Sequence, residues 1–194
     1  MNVIEAVIWP VRKVLMFFIR YVVKIIVAFR WSRTILNAIY LKLTPSQRSF
    51  FHHAFAKIFR NSHIRASNGY WKIVFSGKGI LMPLTSERFW LDWDSAVSII
   101  GHDIEIKETY NALIESLEMP DLFIDIGGNY GTHSLLFLVQ NIKTMTFEPN
   151  RACHAYFRSV CKLNEVVERL EPIALGAAGG YIELSYPESD TWLG

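Results

Sequence analysis

Residues 122–150 read LFIDIGGNYGTHSLLFLVQNIKTMTFEPN, and this stretch decides the fold. The apolar run 122–126 is typical of a buried parallel strand, and a glycine-rich turn follows it at 127–131. A helical pattern over 132–140 then leads to a second strand at 143–147. A crossover this short implies parallel strands joined by a right-handed connection.

The alternation of strands and helices continues beyond this stretch. We expect a helix over residues 151–164 and a third strand over residues 170–175. Parallel sheets of this kind bind their ligands at the carboxyl ends of the strands. The turn at 127–131 is therefore the candidate binding loop.

The residues of the turn exclude two common phosphate-binding loops. A dinucleotide fingerprint needs glycine at the third and sixth positions from Gly127, where this chain has Asn129 and Thr132. A Walker loop needs Gly-Lys-Ser/Thr, which the chain lacks. Asp125 precedes the turn and favours a ligand with an ammonium group, while Glu148 ends the next strand and favours ribose hydroxyls. S-adenosylmethionine has an amino group and a ribose but no phosphate.

Three motifs, in this order and spacing, resemble the FkbM-type family of S-adenosylmethionine-dependent methyltransferases. They are FIDIGGNYGTHSLLF from residue 123, TFEPN from residue 146 and PIALGAAGGYIEL from residue 172. Members of the family typically read VDVGANxGxxT, FEPNP and ALGxxxGxxxL. The resemblance covers residues 120–194 and implies part of a Rossmann-like α/β methyltransferase fold, namely its first three parallel strands with their helices.

The resemblance also implies a cofactor, an activity and a set of binding residues. The family transfers the methyl group of S-adenosylmethionine to oxygen atoms, often on sugars or polyketide-like acceptors. We therefore expect an O-methyltransferase that acts on a sugar or glycan-like hydroxyl, although the residues identify no catalytic base. Gly128 replaces the usual alanine of the family, which we expect to leave binding intact. The implied cofactor contacts are Asp125, Gly127, Asn129 and Gly131 at the methionine part, Glu148 at the ribose and the Ala174-Leu175 region at the adenine.

The family continues with a further strand and more helices after the last motif. We therefore expect this chain to be truncated relative to a complete enzyme. The alternative is a non-catalytic, membrane-associated remnant or interaction protein that keeps half of the fold.

Histidines and cysteines give no pattern of metal ligands. Cys153 and Cys161 lie on one predicted helix, roughly 12 Å apart along its axis, which is too far for a disulfide. We expect two reduced, partly buried thiols in a cytosolic protein. His133 and His154 have no partner acid at fixed spacing, and we expect both on the surface. Three more histidines lack ligands nearby in sequence: His52, His53 and His63.

The amino-terminal third of the chain is basic, and the remainder is acidic. Residues 1–65 hold eleven Lys/Arg and one acid (+10), whereas residues 66–194 hold nine Lys/Arg and seventeen acids (−8). A basic segment of this kind favours an anionic partner, either nucleic acid or a phospholipid surface. Few stacking aromatics are interleaved with the basic residues at 48–65, which argues against nucleic acid.

Residues 14–29 read VLMFFIRYVVKIIVAF and are apolar except for Arg20 and Lys24. A spanning helix needs about 20 apolar residues, so two charges in a shorter run argue against crossing. We predict a basic amphipathic helix that begins near Pro10. One sector holds Arg12, Lys13, Arg20, Lys24 and Arg30, and the opposite face holds Leu15, Phe18, Ile19, Val22, Ile26 and Val27.

Three interpretations of this helix remain open. It lies in a membrane interface, it crosses the membrane at a tilt, or it packs on a partner or on its own domain. The first places the chain in the cytoplasm at the inner face of a membrane.

We divide the chain into four segments. A membrane-associating helical segment covers 1–43, and a helical linker covers 44–68, beginning at Thr44 and Pro45. Residues 69–119 form a β-hairpin, with strands at 70–75 and 80–84, and an entry helix at 105–117. The partial Rossmann-like domain covers 120–194. In the third segment we expect Trp90 and Trp93 to pack against the main domain, and we expect an apolar stripe of Ile106, Tyr110, Leu113 and Ile114.

Overall fold

The computed structural model describes residues 3–56, 58–59, 64, 67–181 and 183–184. The chain divides into two compact units, of which the first comprises Met1–Trp71 with Pro83–Ile104 and the second Lys72–Met82 with Glu105–Gly194. The elements are α1 (Val3–Ala28), α2 (Arg30–Leu41), α3 (Pro45–Phe55), β1 (Gly69–Phe75), β2 (Lys78–Leu84), α4 (Phe89–Ser98), α5 (Ile104–Glu115), β3 (Leu122–Ile126), α6 (Thr132–Leu138), β4 (Lys143–Phe147), α7 (Arg151–Leu163) and β5 (Leu170–Glu171).

The predicted amino-terminal helix is present, but it is longer than expected. Pro10 lies inside α1, so the predicted start at this residue is wrong. The apolar pattern continues on both sides of Pro10 and outweighs the one backbone hydrogen bond that a proline cannot make. No helix in the described part of the chain is both long and apolar enough to cross a membrane. The side chain of Arg12 lies outside the described residues.

The linker helix begins where the sequence predicts. Thr44 accepts a hydrogen bond from the backbone N–H of Gln47, and the Gln47 side chain accepts one from the backbone N–H of Thr44. This reciprocal pair is a capping box, which satisfies two otherwise unpaired donors. The helix ends at Phe55. Residues 57, 60–63 and 65–66, which belong to the predicted linker and include His63, lie outside the described part.

An aromatic core fills the first unit. Trp93 is fully buried, and its ring meets that of Phe59 edge-to-face at 4.8 Å. Its indole Nε1 donates a hydrogen bond to the carbonyl of Phe55 at 2.8 Å. Trp93 is therefore a packed core residue, and these contacts lie within the amino-terminal unit, whereas the sequence predicts packing against the main domain.

The β-hairpin is confirmed, and α5 is confirmed with a different buried face. Ser76 and Gly77 connect β1 to β2 with φ angles of 43° and 74°, as tight hairpin turns require.

On α5, Ile106 and Leu113 are 46% and 44% exposed, whereas Lys107 is buried. The predicted stripe is thus wrong at two positions, because the buried side of α5 runs through Lys107 and Ile114.

The second unit contains the predicted parallel sheet, in the order β3-β4-β5. Asp125 pairs with Thr146, and Thr146 pairs with Leu170. Helix α6 connects the first two strands and α7 the next two, as the sequence predicts. Strand β5 covers only two residues instead of the predicted six positions at 170–175.

The prediction that β3 is a buried strand is wrong, because its residues alternate between exposed and half-buried. Leu122, Ile124 and Ile126 are 49%, 50% and 64% exposed. On the other face, the Phe123 ring stacks on Phe137 of α6 at 3.8 Å. Right-handed connections between strands taken in order place α6 and α7 on the same face of the sheet, so neither of these helices covers Leu122, Ile124 and Ile126.

Asn164 offers a test of how the hairpin is attached within the second unit. Its Oδ1 accepts from the N–H of Leu81, and its Nδ2 donates to the carbonyls of Leu81 and Val160. We expect Asn164→Ala to lower the free energy of unfolding by about 2 kcal/mol in urea denaturation, because it removes the side-chain partners of the Leu81 N–H and carbonyl. Asn164→Asp keeps the acceptor for the Leu81 N–H but turns a charged oxygen toward the carbonyls of Leu81 and Val160, so it should be at least as destabilising. Equal stability of Asn164→Ala and the parent chain would contradict this role.

Candidate functional site

The predicted binding turn is attached to the end of the neighbouring strand by its own backbone. The N–H groups of Gly127 and Gly128 both donate to the carbonyl of Phe147, at 2.8 and 3.1 Å. The N–H of Gly131 closes the turn onto the carbonyl of Gly128 at 2.7 Å. Gly127, Asn129 and Gly131 have φ angles of 76°, 48° and 73°, so the turn uses the left-handed region three times.

Asp125 joins the end of β3 to the first turn of α6. Its Oδ2 accepts hydrogen bonds from the backbone N–H and the hydroxyl of Ser134, at 3.1 and 2.6 Å. The Ser134 hydroxyl also lies 2.7 Å from the hydroxyl of Thr146 on β4. Both bonds to Asp125 end on Oδ2, so Oδ1 carries none among the described residues.

Glu148 holds the same turn from the end of β4. Its side chain is buried; Oε2 accepts from the N–H of Asn129 at 2.7 Å and Oε1 from the N–H of Asn150 at 2.6 Å. Asp125 and Glu148 thus stabilise one loop from two adjacent strands. The sequence could predict only that these two acids lie close together.

The prediction that His133 and His154 lie on the surface is wrong. His154 is buried, and its Nε2 lies 2.7 Å from the carbonyl of Glu148. A carbonyl only accepts, so this nitrogen carries the proton. Helix α7 starts at the Asn150 cap, which turns His154 back toward β4. His133 is half-buried, with Nδ1 3.1 Å from the hydroxyl of Tyr110.

Both cysteines are buried and free, as predicted, and Cys153 lies at the candidate site. The Cys153 thiol donates to Oδ1 of Asn129 at 3.1 Å. Burial raises the pKa of Cys153 from 9.0 to about 12, and the charge of Glu148 adds to the shift. Burial, assisted by Glu168, likewise raises the pKa of Cys161 to about 12. Both thiols are therefore protonated and poor nucleophiles at neutral pH.

The three glycines of the turn differ in what surrounds them. A Cβ at Gly127 would meet no atom within 4 Å, so its backbone is open to approach. A Cβ at Gly128 would lie 2.3 Å from Cγ2 of Thr146, and one at Gly131 would lie 2.0 Å from the Phe157 ring. The glycine at 128, where the family usually has alanine, is thus required by the threonine opposite.

The structure brings together five of the six predicted cofactor residues. Asp125, Gly127, Asn129, Gly131 and Glu148 lie at the carboxyl ends of β3 and β4 or in the turn between β3 and α6. Leu175 lies in the segment after β5 and is 47% exposed. Among the described residues, no group of three or more His, Cys, Asp or Glu side chains could hold a metal ion.

A groove of about 490 Å³ opens at the other end of the sheet. It is lined by residues at the amino ends of β3 and β4, including Leu122, Lys143 and Thr144, together with Arg169 before β5. Ligands of open α/β sheets bind at the carboxyl ends, so this groove is not the candidate site.

No protein-family model, curated protein or solved structure matches this chain.

The contact between Gly128 and Thr146 can be tested by a double-mutant cycle. We expect Gly128→Ala to lower the free energy of unfolding by about 1–3 kcal/mol, because its methyl group overlaps Cγ2 of Thr146. Thr146→Ser removes that methyl and keeps the hydroxyl near Ser134. The double variant should recover most of the loss in chemical denaturation. Additive losses would show that the overlap is not the cause.

The buried thiols predict a loss of stability in alkali. In the unfolded chain the thiols release protons near pH 9, whereas in the folded chain they keep them to about pH 12. The contribution of the protonated thiols to the free energy of unfolding is therefore complete below pH 9 and disappears as the pH rises toward 12. We expect a loss of about 1 kcal/mol per thiol between pH 8 and pH 10 in urea denaturation. The Cys153→Ala/Cys161→Ala variant should show a flatter dependence, and an unchanged slope would contradict this assignment.

Proposed function

We propose that this chain is an S-adenosylmethionine-dependent O-methyltransferase of the FkbM type, acting on a sugar or glycan-like hydroxyl. One observation supports this most directly: carboxylates at the ends of two adjacent parallel strands, Asp125 and Glu148, flank an open glycine turn. The resemblance of the three sequence motifs supplies the cofactor and the reaction class.

The chemistry of these residues fits the proposed cofactor. Oδ1 of Asp125 retains its lone pairs for an ammonium group, while Oδ2 is occupied by Ser134. Each oxygen of Glu148 accepts one backbone hydrogen bond, and a carboxylate oxygen can accept two, so ribose hydroxyls have acceptors. The open side of Gly127 allows a ligand to approach the backbone. Neither carboxylate forms an ion pair within the described residues.

In this proposal, the chain contributes binding and orientation. Bound S-adenosylmethionine supplies a methyl group attached to a positively charged sulfur. Asp125 and the turn would hold the amino acid end of the cofactor, and Glu148 would hold its ribose. Holding two reactants in line is itself a large share of the rate enhancement of such a transfer.

We also infer that the chain works in the cytoplasm at the inner face of a membrane. The net charge of +10 over residues 1–65 supports this location, because inner leaflets are anionic. Lipid-linked or membrane-proximal glycans are then suitable acceptors.

A second candidate is a non-catalytic, membrane-associated protein that keeps this half of the fold. The observation in its favour is that Asp125 and Glu148 already stabilise the turn through hydrogen bonds to backbone groups and Ser134. A structural role of this kind is complete without a ligand.

Calorimetric titration of S-adenosylmethionine into the chain distinguishes the two candidates. Asp125→Asn keeps an oxygen for Ser134 and replaces the other oxygen with an amide that repels an ammonium group. We expect saturable binding by the parent chain and at least a tenfold loss in Asp125→Asn, since a hydrogen bond to a charged group contributes about 1.5–3 kcal/mol. Asp121→Asn, just before β3, is the matched control and should bind normally.

Glu148→Gln provides a second variant, with its stability measured in parallel because Glu148 also holds the turn. A folded parent chain that binds no S-adenosylmethionine would refute the methyltransferase proposal and leave the non-catalytic candidate.

A further inference from the structure

Helix α1 exposes apolar side chains along one face. Val14, Phe18, Tyr21 and Ile25 follow helical spacing and are between 47% and 60% exposed. Leu15, Phe17, Val22 and Phe29 extend this strip with exposures between 50% and 67%. A helix on the surface of a water-soluble domain normally presents polar residues outward, so the pattern of α1 is the reverse.

Helix α2 carries a second strip of the same kind. Trp31, Ile35 and Ile39 repeat every four residues and are 67%, 55% and 54% exposed. The rings of Phe29 and Trp31 stack with their centroids 6.4 Å apart, so the two strips meet at the joint between the helices. We call the two strips together the α1–α2 apolar face.

The last turn of α1 and the opposite side of α2 pack within the first unit, so the apolar strips are on the other side of these packed residues. Val27 of α1 is fully buried, and Tyr40 of α2 donates its hydroxyl to the carbonyl of Val97 at 3.2 Å. Arg33 is buried and donates to Ser67 and Asn68, so it stabilises the fold instead of facing a partner. Ser32 closes the joint by donating to the carbonyls of Ile26 and Phe29.

The charges beside this face have one sign. Residues 13–41 contain Lys13, Arg20, Lys24, Arg30 and Arg33 and no acidic residue. Lys13 and Arg30 are exposed, and Arg20 and Lys24 are half-buried, as expected of long side chains that lie along a helix with their charged ends toward water. By helical position, Lys13, Arg20 and Lys24 lie along one edge of the α1 strip.

We propose that the α1–α2 apolar face lies flat in the surface of an anionic phospholipid bilayer, with both helices in contact with lipid. Apolar side chains enter the boundary of the acyl chains, the Phe29–Trp31 pair lies at the headgroup level, and the flanking cations meet lipid phosphates. The proposal deepens the membrane location of the proposed function and extends it from α1 to α2. It does not depend on methyl transfer.

Charge distinguishes a bilayer from a second copy of the chain. Two copies joined through this face would bring two sets of basic residues together without an acidic group in either strip. An anionic bilayer attracts the same residues, and each Lys or Arg near its surface contributes about 1 kcal/mol to binding.

Vesicle flotation tests the proposal with the full chain. We expect binding to vesicles of phosphatidylcholine with phosphatidylserine and weaker binding to phosphatidylcholine alone. The Phe18→Gln/Ile35→Gln variant, with one change in each strip, should bind at least about tenfold more weakly. Lys24→Gln should lose about fivefold on anionic vesicles only. Phe50→Gln changes a side chain that is 71% exposed on α3, outside both strips, and should bind normally.

Tryptophan fluorescence tests the part played by α2. Anionic vesicles should shift the emission to the blue, and Trp31→Phe should make that shift smaller than in the parent chain, which has six tryptophans. Trp71 and Trp93 are already buried and should contribute little to it. S-adenosylmethionine titration of the strip variants should match the parent chain, so failure of one proposal is distinguishable from failure of the other.

Two results would overturn the inference. One is absence of parent binding to anionic vesicles, and the other is an equal loss in Phe50→Gln and in the strip variant. If sedimentation equilibrium then showed a dimer that Phe18→Gln/Ile35→Gln dissociates, the face would be assigned to a second copy.

Discussion

The hydrogen bonds to a single carboxylate oxygen, Oδ2 of Asp125, are the constraint on which the second unit depends. Through Ser134 they join β3 to the first turn of α6, and the Ser134 hydroxyl extends the connection to Thr146 on β4. Hydrogen bonds to charged groups are stronger than neutral ones, and removing their acceptor from a protein interior leaves donors unpaired. Glu148 supports the same turn from the neighbouring strand. The glycine turn therefore has one shape, set by two acids that approach it from adjacent strands.

The acids that shape the turn are also the acids proposed to bind the cofactor. A carboxylate can shape the turn and bind a ligand at the same time, because its two oxygens have more lone pairs than the protein donors occupy. A turn that is fixed before the ligand arrives loses little freedom on binding, which favours affinity. The same arrangement also serves a purely structural purpose, so ligand binding and stability must be measured on the same variants.

Local patterns predicted the parallel strands, the hairpin, the start of α3 at Thr44 and the free thiols, because each depends on neighbours in sequence or on chain connectivity. Features that depend on what covers a residue were not predictable. The apolar run of β3 indicates a strand but cannot show that helices cover only the Phe123 side. The spacing of Ile106 and Leu113 indicates a helix but not which side packs inward. His154 is buried with its Nε2 against the carbonyl of Glu148, a backbone contact that the pattern of residue types does not signal.

The parallel pairing of β3 with β4 has a consequence for the order of folding. Hairpin β1–β2 closes through a two-residue turn, and such local contacts form within microseconds. Strand β3 can pair only after α6 has brought β4 back beside it, so this part of the sheet carries a loop-closure entropy that the hairpin avoids. The bonds that shape the glycine turn need β4 in place as well. The candidate binding loop therefore belongs to the slow, late-forming part of the second unit.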